Sequence, residues 1–275
     1  MLIKWLLKLI SNKKNAPFLI NYLSRIYQIN LLLHTYRGMG IHVASDELSG
    51  EIKLLQLFKV LWREQKNLVL FDVGANIGQY SKWLVDFFPE AEIHAFEPSH
   101  STFAQLEYNL RNENVRLNQC GLGKVIDTLT LYNSAEKEHS QHGTIYKEVL
   151  SELLDKGELV EEVIRIETID HYCEENQISQ IDFLKIDTEG HELDVLKGAK
   201  RMLSTSSIKH IQFEFNEMNI ISRVFLKDFY ELLEGYHFYR LHTDQLIKLG
   251  SYHSANEIFQ FQNILASKED NLEFI

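Results

Sequence analysis

The sequence is poor in cysteine, proline and glycine, and each shortage excludes a class of structure. Its 275 residues include two cysteines, three prolines and 13 glycines. Cys120 and Cys173 cannot form a disulfide framework, which favours a reducing, cytoplasmic setting. The low proline and glycine content argues against long linkers and low-complexity arms. With 45% hydrophobic and 24% charged residues, the composition is that of a soluble globular protein.

Positive charge is also in short supply. The chain carries 28 Lys and Arg residues against 39 Asp and Glu residues, a formal net charge of −11. A protein that neutralises nucleic-acid phosphates needs a basic face, so we expect no nucleic acid among its partners. The acidic balance is compatible with a cationic ligand, because it attracts positive charge.

The apolar stretch at residues 1–10, which reads MLIKWLLKLI, is short and interrupted by lysines. It has too few apolar residues to span a bilayer, and it lacks the pattern of a secretory signal. Two interpretations stay open. Residues 1–14 could lie on an anionic membrane surface as an amphipathic helix. Alternatively, they could pack as a helix on the core or on the second subunit of a homodimer.

Apolar periodicity divides the chain into two parts. Residues 1–66 show helical spacing and are predicted to form a helical N-terminal extension. Within 67–275, short apolar runs alternate with helical segments. This pattern predicts one α/β domain with a doubly wound, mostly parallel sheet and an antiparallel last strand. Residues 133–157 are polar and irregular, and we interpret them as an insertion near the functional site. The predicted strands are 68–73, 91–96, 115–120, 125–132, 163–167, 181–187, 208–215, 237–241 and 258–266.

A glycine-containing turn follows the first predicted strand. The chain from Asp72 to Tyr80 reads DVGANIGQY. Gly74 permits a tight turn and close approach of a ligand to the backbone, while Gly78 lets the next helix pack closely or leaves room for the ligand. The spacing differs from the G-x-G-x-x-G of dinucleotide sites and from a phosphate loop. Asn76 at the middle position suits a nucleoside without a pyrophosphate. The alternative is a tight strand-to-helix turn with no ligand.

An acidic residue ends the second predicted strand. Glu97 lies in the sequence HAFEP, about twenty residues after the glycine turn. In open α/β sheets a carboxylate at this position accepts hydrogen bonds from the ribose hydroxyls of a bound nucleoside. Glu97 could instead cap the helix that begins near Ser99. The turn and the acid together are a more specific signal than either one alone.

A third cluster follows the strand predicted over 181–187, where the sequence reads DTEGHE. If the chain stays extended there, Asp187, Glu189 and His191 point to one side. Glu189 or His191 could then take a proton from a hydroxyl group. A divalent metal is the rival use of these residues, but no third committed ligand is identifiable, and no metal is predicted. Glu192 could simply favour the N-terminus of the helix predicted over 193–203 through its dipole.

Three stretches together resemble the FkbM family of methyltransferases: FDVGANIGQYS, HAFEP, and LKIDTEGHE with the following LKGA. The resemblance covers roughly residues 49–266, and its specific part is K-I-D-x-E-G-x-E-x-x-V-L-K-G-A. It implies a class I Rossmann-like fold with strand order 3-2-1-4-5-7-6. It also implies S-adenosylmethionine as the cofactor and methyl transfer to a hydroxyl oxygen, often on a sugar or polyketide. The expected acceptor is therefore a small molecule or saccharide.

The candidate site residues fall into three groups. The predicted cofactor contacts are Asp72, Gly74, Asn76, Gly78, Tyr80, Glu97, Leu122 and Asp187. The predicted catalytic residues are Glu189, His191 and Asp187. The predicted acceptor contacts are Glu51, His142, Glu214 and Asn216. The last two share a strand face, and a hydrogen-bonded strand end is the alternative role for them.

Two rival functions stay open. A nicotinamide-dependent oxidoreductase would use the same fold class, but the G-x-G-x-x-G sequence that it needs is missing. A non-catalytic interaction protein could keep the methyltransferase fold without the chemistry. The presence of Asp72, Gly74, Gly78, Glu97 and Asp187 together argues against loss of the cofactor site.

Overall fold

A computed structural model describes residues 16–27, 30–41, 49–134, 143–153 and 158–274. Residues 1–14, considered above for membrane or subunit contact, and His142 lie outside these ranges. The helices are α1 Ala16–Tyr27, α2 Leu31–Gly38, α3 Glu51–Leu61, α4 Gln79–Phe87, α5 His100–Leu110, α6 Ile169–Glu175, α7 Glu192–Lys197, α8 Lys200–Ser204, α9 Met218–Ser222 and α10 Leu226–Leu232. The strands are β1 Val69–Val73, β2 Glu92–Phe96, β3 Val115–Asn118, β4 Gly121–Leu122, β5 Asp127–Ser134, β6 Leu159–Glu167, β7 Ile181–Ile186, β8 Ile208–Phe215, β9 His237–Leu241, β10 Leu246–Lys248 and β11 Gln262–Ser267.

The main sheet has eight strands in the order β10-β9-β11-β8-β7-β1-β2-β3. Five neighbouring strands of this sheet pair in parallel, in the order β3, β2, β1, β7 and β8. Strand β11 lies between β8 and β9 and pairs antiparallel with both. When the strands of this sheet are numbered along the chain without the short edge strand β10, the order from β3 to β9 is 3-2-1-4-5-7-6. This confirms the predicted fold class. The short strand β10, which pairs antiparallel with β9, was not predicted.

The central strands are apolar because helices cover both faces of the sheet. All six residues of β7 are buried. On one face, Phe58 of α3 lies 5.3 Å from Phe183 of β7 between ring centroids. On the other face, Phe229 of α10 stacks on Phe213 of β8 at 4.2 Å. Helix α3, inside the predicted N-terminal extension, thus contributes fully buried side chains to the sheet's core.

A second, three-stranded sheet in the order β4-β6-β5 lies beside the main one. Strands β5 and β6 pair antiparallel along their length, and β4 pairs with β6 in parallel. Two of these strands were predicted, but their pairing was not, because it joins segments separated by the segment 133–157. Within that segment Thr144 bridges to Tyr132, and a π-helix, Val149–Leu153, buries its first two residues.

The segment predicted as one helix over 193–203 is helical in both halves but is interrupted after Lys197, so it forms α7 and α8. The Gly198 carbonyl accepts a hydrogen bond from the Asp170 amide at 3.0 Å, and the Asp170 carboxylate accepts from the amides of Arg201 and Met202. These contacts stabilise a new helix start after Gly198. The strand predicted over 258–266 begins only at Gln262. In the ranges that the structure describes, no helix is both long and apolar enough to cross a membrane.

Candidate functional site

A cavity opens at the carboxyl ends of β1, β2 and β7, where open α/β sheets hold their ligands. The small sheet forms one of its walls. Five of the predicted cofactor contacts line it: Gly74, Asn76, Glu97, Leu122 and Asp187. It also includes the predicted catalytic residues Glu189 and His191. Apolar side chains of Pro98, Leu131, Ile145, Ile164 and Ile166 complete much of the wall.

The glycine turn lies between the carboxyl ends of β2 and β7. The Gly74 amide donates to the Phe96 carbonyl at 3.0 Å, and the Asp187 amide donates to the Val73 carbonyl at 2.9 Å. Gly74 has a φ of +78°, and a Cβ placed on it would lie 1.7 Å from the Asp187 carbonyl oxygen. Glycine is therefore required here, because the strand after Val73 turns directly over the end of β7.

Glu97 faces the cavity while holding two loops. Its Oε2 accepts from the Asn76 amide at 3.0 Å, and its Oε1 accepts from the Ser99 amide at 2.9 Å. Glu97 therefore does both things considered above: it hydrogen-bonds the start of α5 through the Ser99 amide, and it lines the cavity. Burial raises the pKa of Glu97 to about 7, against the lowering effect of these two amides. Each carboxylate oxygen has a further lone pair for a ligand hydroxyl.

Three predicted cofactor contacts lie away from the cavity lining. A Cβ on Gly78 would lie 2.8 Å from Leu106, so this glycine lets α4 pack on α5. The Asp72 carboxylate is fully buried and accepts from the Ser81 hydroxyl at 2.6 Å. Tyr80 donates its hydroxyl to Gln212 at 2.9 Å.

The chain after β7 turns sharply, so the extended conformation on which the grouping of Asp187, Glu189 and His191 was conditional is absent. Glu189 has a φ of +55° and Gly190 a φ of +103°. The buried carboxylate of Glu192 stabilises the turn, since its Oε1 accepts from the amides of Thr188 and Gly190, both at 3.0 Å. Burial raises the pKa of Glu192 to about 7. Asp187, Glu189 and His191 still reach one cavity, but through this turn.

His191 is a buried polar side chain that lines the cavity. Its exposed fraction is 8%, and neither ring nitrogen has a hydrogen-bond partner in the part of the chain that the structure describes. Burial lowers its pKa, so the imidazole is neutral near pH 7, with one donor and one acceptor. Its Nε2 lies 3.0 Å from the position of a Cβ on Gly123. The ring thus lies on the Leu122 side of the cavity and can hydrogen-bond a ligand there.

The predicted acceptor contacts that the structure describes lie outside the cavity lining, beyond Asp187. Glu51 accepts a hydrogen bond from Gln212 at 2.7 Å, and Glu214 accepts one from Asn216 at 3.3 Å. Sequence reasoning missed Lys185, Gln212 and Asn263 beside them. Lys185 and Gln212 are polar residues inside apolar strands, which is a signal that could have found them. Among the described residues, no group of three His, Cys, Asp or Glu side chains could hold a metal ion.

Several characterised proteins are similar to this chain. Methyltransferase 1 of Beauveria bassiana is 29% identical, over 47% of this chain and 57% of its own length. The 31-O-demethyl-FK506 methyltransferase FkbM of Streptomyces tacrolimicus is 31% identical, over 48% and 59%. The hexuronic acid methyltransferase AglP of Haloferax volcanii is 28% identical, over 63% and 64%. The chain thus spans about three fifths of the length of these relatives.

The match to a family covers more of the chain than the first two of these alignments. Residues 72–238, more than half of the sequence, match the Methyltransferase FkbM domain. They include the glycine turn, Glu97 and the turn after β7. The chain therefore belongs to the FkbM methyltransferase family, which confirms both the predicted family and the predicted cofactor, S-adenosylmethionine.

Proposed function

We propose that the chain transfers the methyl group of S-adenosylmethionine to a hydroxyl oxygen of a sugar or a related small molecule. The observation that carries this proposal is one cavity with Glu97 at one strand end and Asp187 at another. The O-methyl transfer is supported by the name of the Streptomyces tacrolimicus relative, which acts on 31-O-demethyl-FK506. The sugar is supported by the name of the Haloferax volcanii relative, a hexuronic acid methyltransferase.

The residues of the cavity fit this cofactor. The carboxylate of Glu97 accepts hydrogen bonds from ribose hydroxyls, and the apolar side chains of Leu122 and Ile166 suit the faces of an adenine ring. His191, whose ring nitrogens lack protein partners among the described residues, hydrogen-bonds the purine edge. At the opposite end, Asp187 faces the cationic amino-acid part of the cofactor.

The chemistry needs alignment and one proton acceptor. S-adenosylmethionine supplies an electrophilic methyl group on a positive sulfur. The protein orients the acceptor hydroxyl towards that methyl group and excludes competing water. The hydroxyl proton passes to a side chain as the new carbon–oxygen bond forms and the carbon–sulfur bond breaks. Glu189 is the proposed proton acceptor, since His191 lies on the Leu122 side of the cavity, next to Gly123.

Cofactor binding separates this function from its rivals. Isothermal titration of the full chain is expected to show binding of S-adenosylmethionine and S-adenosylhomocysteine, and none of NADH. Incubation with methyl-labelled cofactor and sugar or polyketide alcohols is expected to leave the label on oxygen. Binding of NADH alone would favour the oxidoreductase. Cofactor binding without transfer to any hydroxyl compound would favour a non-catalytic protein.

The affinity for S-adenosylmethionine is expected to fall as the pH decreases from 8 to 6. Ribose hydroxyls donate to the ionised carboxylate of Glu97, whose pKa burial raises to about 7. Protonation removes part of that acceptor capacity, so the dissociation constant should rise by about tenfold over this range. Titration calorimetry at both pH values measures the effect.

The variant Glu97→Gln tests the source of this pH dependence. It is expected to bind weakly at pH 8 and to lose most of the dependence. Glu90→Gln, an exposed carboxyl before β2, is the matched control and should behave as the parent. If Glu97→Gln keeps the full dependence, the titrating group is instead Glu192, whose pKa is also about 7.

A further inference from the structure

A layer of buried polar side chains lies next to Asp187, between the sheet and helices α3 and α4. We call it the polar floor, and it consists of Asp72, Lys185, Gln212 and Asn263. Each of these residues is at most 5% exposed. Polar groups packed this deeply inside a fold need hydrogen-bond partners.

The floor is built by the register of neighbouring strands. Asp72 of β1 lies across from Lys185 of β7, and Lys185 lies across from Gln212 of β8. Residues directly across from one another point to the same face of a sheet. Gln212 donates to the Asn263 side-chain oxygen at 3.2 Å, which joins β11 to the layer.

Four carboxylates surround this floor and form what we call the carboxylate rim: Glu51, Asp187, Glu189 and Glu214. All four are half-buried, so the rim opens outwards while the floor does not. Glu51 is tied to the floor because it accepts from Gln212 at 2.7 Å. Glu214 lies directly across from Asn263 in the pairing of β8 with β11. Asp187 and Glu189 also line the cofactor cavity, so the rim begins where the cavity ends.

One group of the floor points to a ligand. Asn263 is only 2% exposed. Its side-chain nitrogen is buried and has no hydrogen-bond partner within the described residues. An unsatisfied buried amide donor is costly. The Asn263 nitrogen belongs to a side chain that shares a sheet face with Glu214. An acceptor oxygen seated among the rim carboxylates would satisfy it.

The charge of this region is strongly unbalanced. Among the described residues of this region Lys185 supplies the positive charge, and its Nζ lies 3.2 Å from Asp187 and 3.4 Å from Asp72. The rim therefore places the carboxyl groups of Glu51, Glu189 and Glu214 beside Asp187, while Lys185 is already shared between Asp187 and Asp72. Burial first, and then the carboxylates of Asp187 and Glu189, raise the pKa of Glu214 well above its usual range. A further negative charge placed here would be repelled in the same way.

We infer that the rim and floor together form the acceptor subsite, and that it takes a hydroxyl-rich ring without negative charge and rejects an acidic one. Hydroxyl groups donate to the rim carboxylates, and the Asn263 amide donates to an oxygen of the ring. This inference rests on the proposed function and narrows its substrate class. It separates this chain from the Haloferax volcanii relative, whose name specifies a hexuronic acid.

Matched sugars test the inference. The full chain is saturated with S-adenosylhomocysteine at pH 7.5. Binding of the methyl glycosides of glucose, galactose and mannose is then compared with that of their uronic acid counterparts, by saturation-transfer NMR. Each pair differs only in a hydroxymethyl group against a carboxylate. At least one uncharged glycoside is expected to bind, and its uronic acid partner at least tenfold more weakly. Glu51→Gln and Glu189→Gln should each lower the preference for the uncharged glycoside over its uronic acid severalfold, whereas Glu90→Gln should leave that preference unchanged.

The outcomes separate the two proposals. Failure to bind S-adenosylhomocysteine would overturn the proposed function and the subsite with it. Cofactor binding with equal or better binding of the uronic acids would overturn the subsite alone. So would cofactor binding with no glycoside bound, or a ratio that neither rim variant changes.

Discussion

Replacing Gly74 with alanine is expected to weaken binding of S-adenosylmethionine and to lower the rate of methyl transfer by about 100-fold, which is the order that a displacement of 1 Å in a reacting geometry can cost. The added Cβ would lie 1.7 Å from the carbonyl oxygen of Asp187. Because that atom belongs to the backbone, the turn and the end of β7 must separate. Both segments line the cofactor cavity, so the displacement changes the site itself.

The same substitution is expected to destabilise the fold. A φ of +78° costs an alanine about 1 kcal/mol, and the steric overlap adds about 1–3 kcal/mol. Urea denaturation followed by circular dichroism measures the sum, and calorimetry on the folded variant measures binding. Together they distinguish a damaged site from an unfolded protein.

Gly250→Ala is the matched control for Gly74→Ala. Gly250 has a φ of +65°, and a Cβ added to it would have no atom of the described residues within 4 Å. The variant should show the backbone strain without the overlap and should bind the cofactor normally. Equal loss of affinity in both variants would mean that strain, rather than contact with Asp187, explains the effect. Normal binding by Gly74→Ala would refute the assigned role of the turn.

Replacing Lys185 with methionine is expected to lower the free energy of unfolding by about 3–5 kcal/mol, as for other buried ion pairs that lose one partner. Asp72 is fully buried, and its Oδ1 lies 3.4 Å from the Lys185 nitrogen. Burial by itself lowers the pKa of Lys185, but the carboxylates of Asp187 and Asp72 outweigh it and raise that pKa. The cation is therefore retained in the fold by its partners.

The loss of unfolding free energy in Lys185→Met should depend on pH. Without the ammonium group, the buried carboxylate of Asp72 has lost its counter-charge, and burial disfavours the charged form of such a group. The folded variant then holds more protons than the unfolded chain, so its stability falls as the pH rises. Urea denaturation should therefore show a larger deficit at pH 8 than at pH 5.

Two further variants test this explanation. Adding Asp72→Asn to Lys185→Met should recover part of the stability and remove the added pH dependence. Lys82→Met removes a lysine whose partners are on the surface, and it should leave the stability nearly unchanged. A double variant as unstable as Lys185→Met would show that lost packing around the lysine stem, and not the charge of Asp72, determines the effect.

Much of the fold was predictable because its signals are local. The alternation of apolar strands with amphipathic helices follows from residue periodicity, and the eight-stranded order agrees with the family that LKIDTEGHE suggested. Gly74 and Glu97 were also found from sequence, since a glycine and an acid at strand ends mark places where the backbone turns towards a ligand. The pairing of β5 with β6 was not predictable, because it depends on contacts across the segment 133–157.

The sequence by itself determined the strand pattern, the glycine turn and the family, because these depend on neighbouring residues and on short spacings. Only the tertiary structure decided which polar side chains share a space. It turned Tyr80 towards Gln212 and brought Glu51, at the start of α3, against the same residue in the middle of β8. It also closed the DTEGHE motif into a turn, in which the amides of Thr188 and Gly190 donate to the carboxylate of Glu192. The physical reason is that strand register and helix packing choose each side chain's neighbours, and these depend on contacts far apart in the chain.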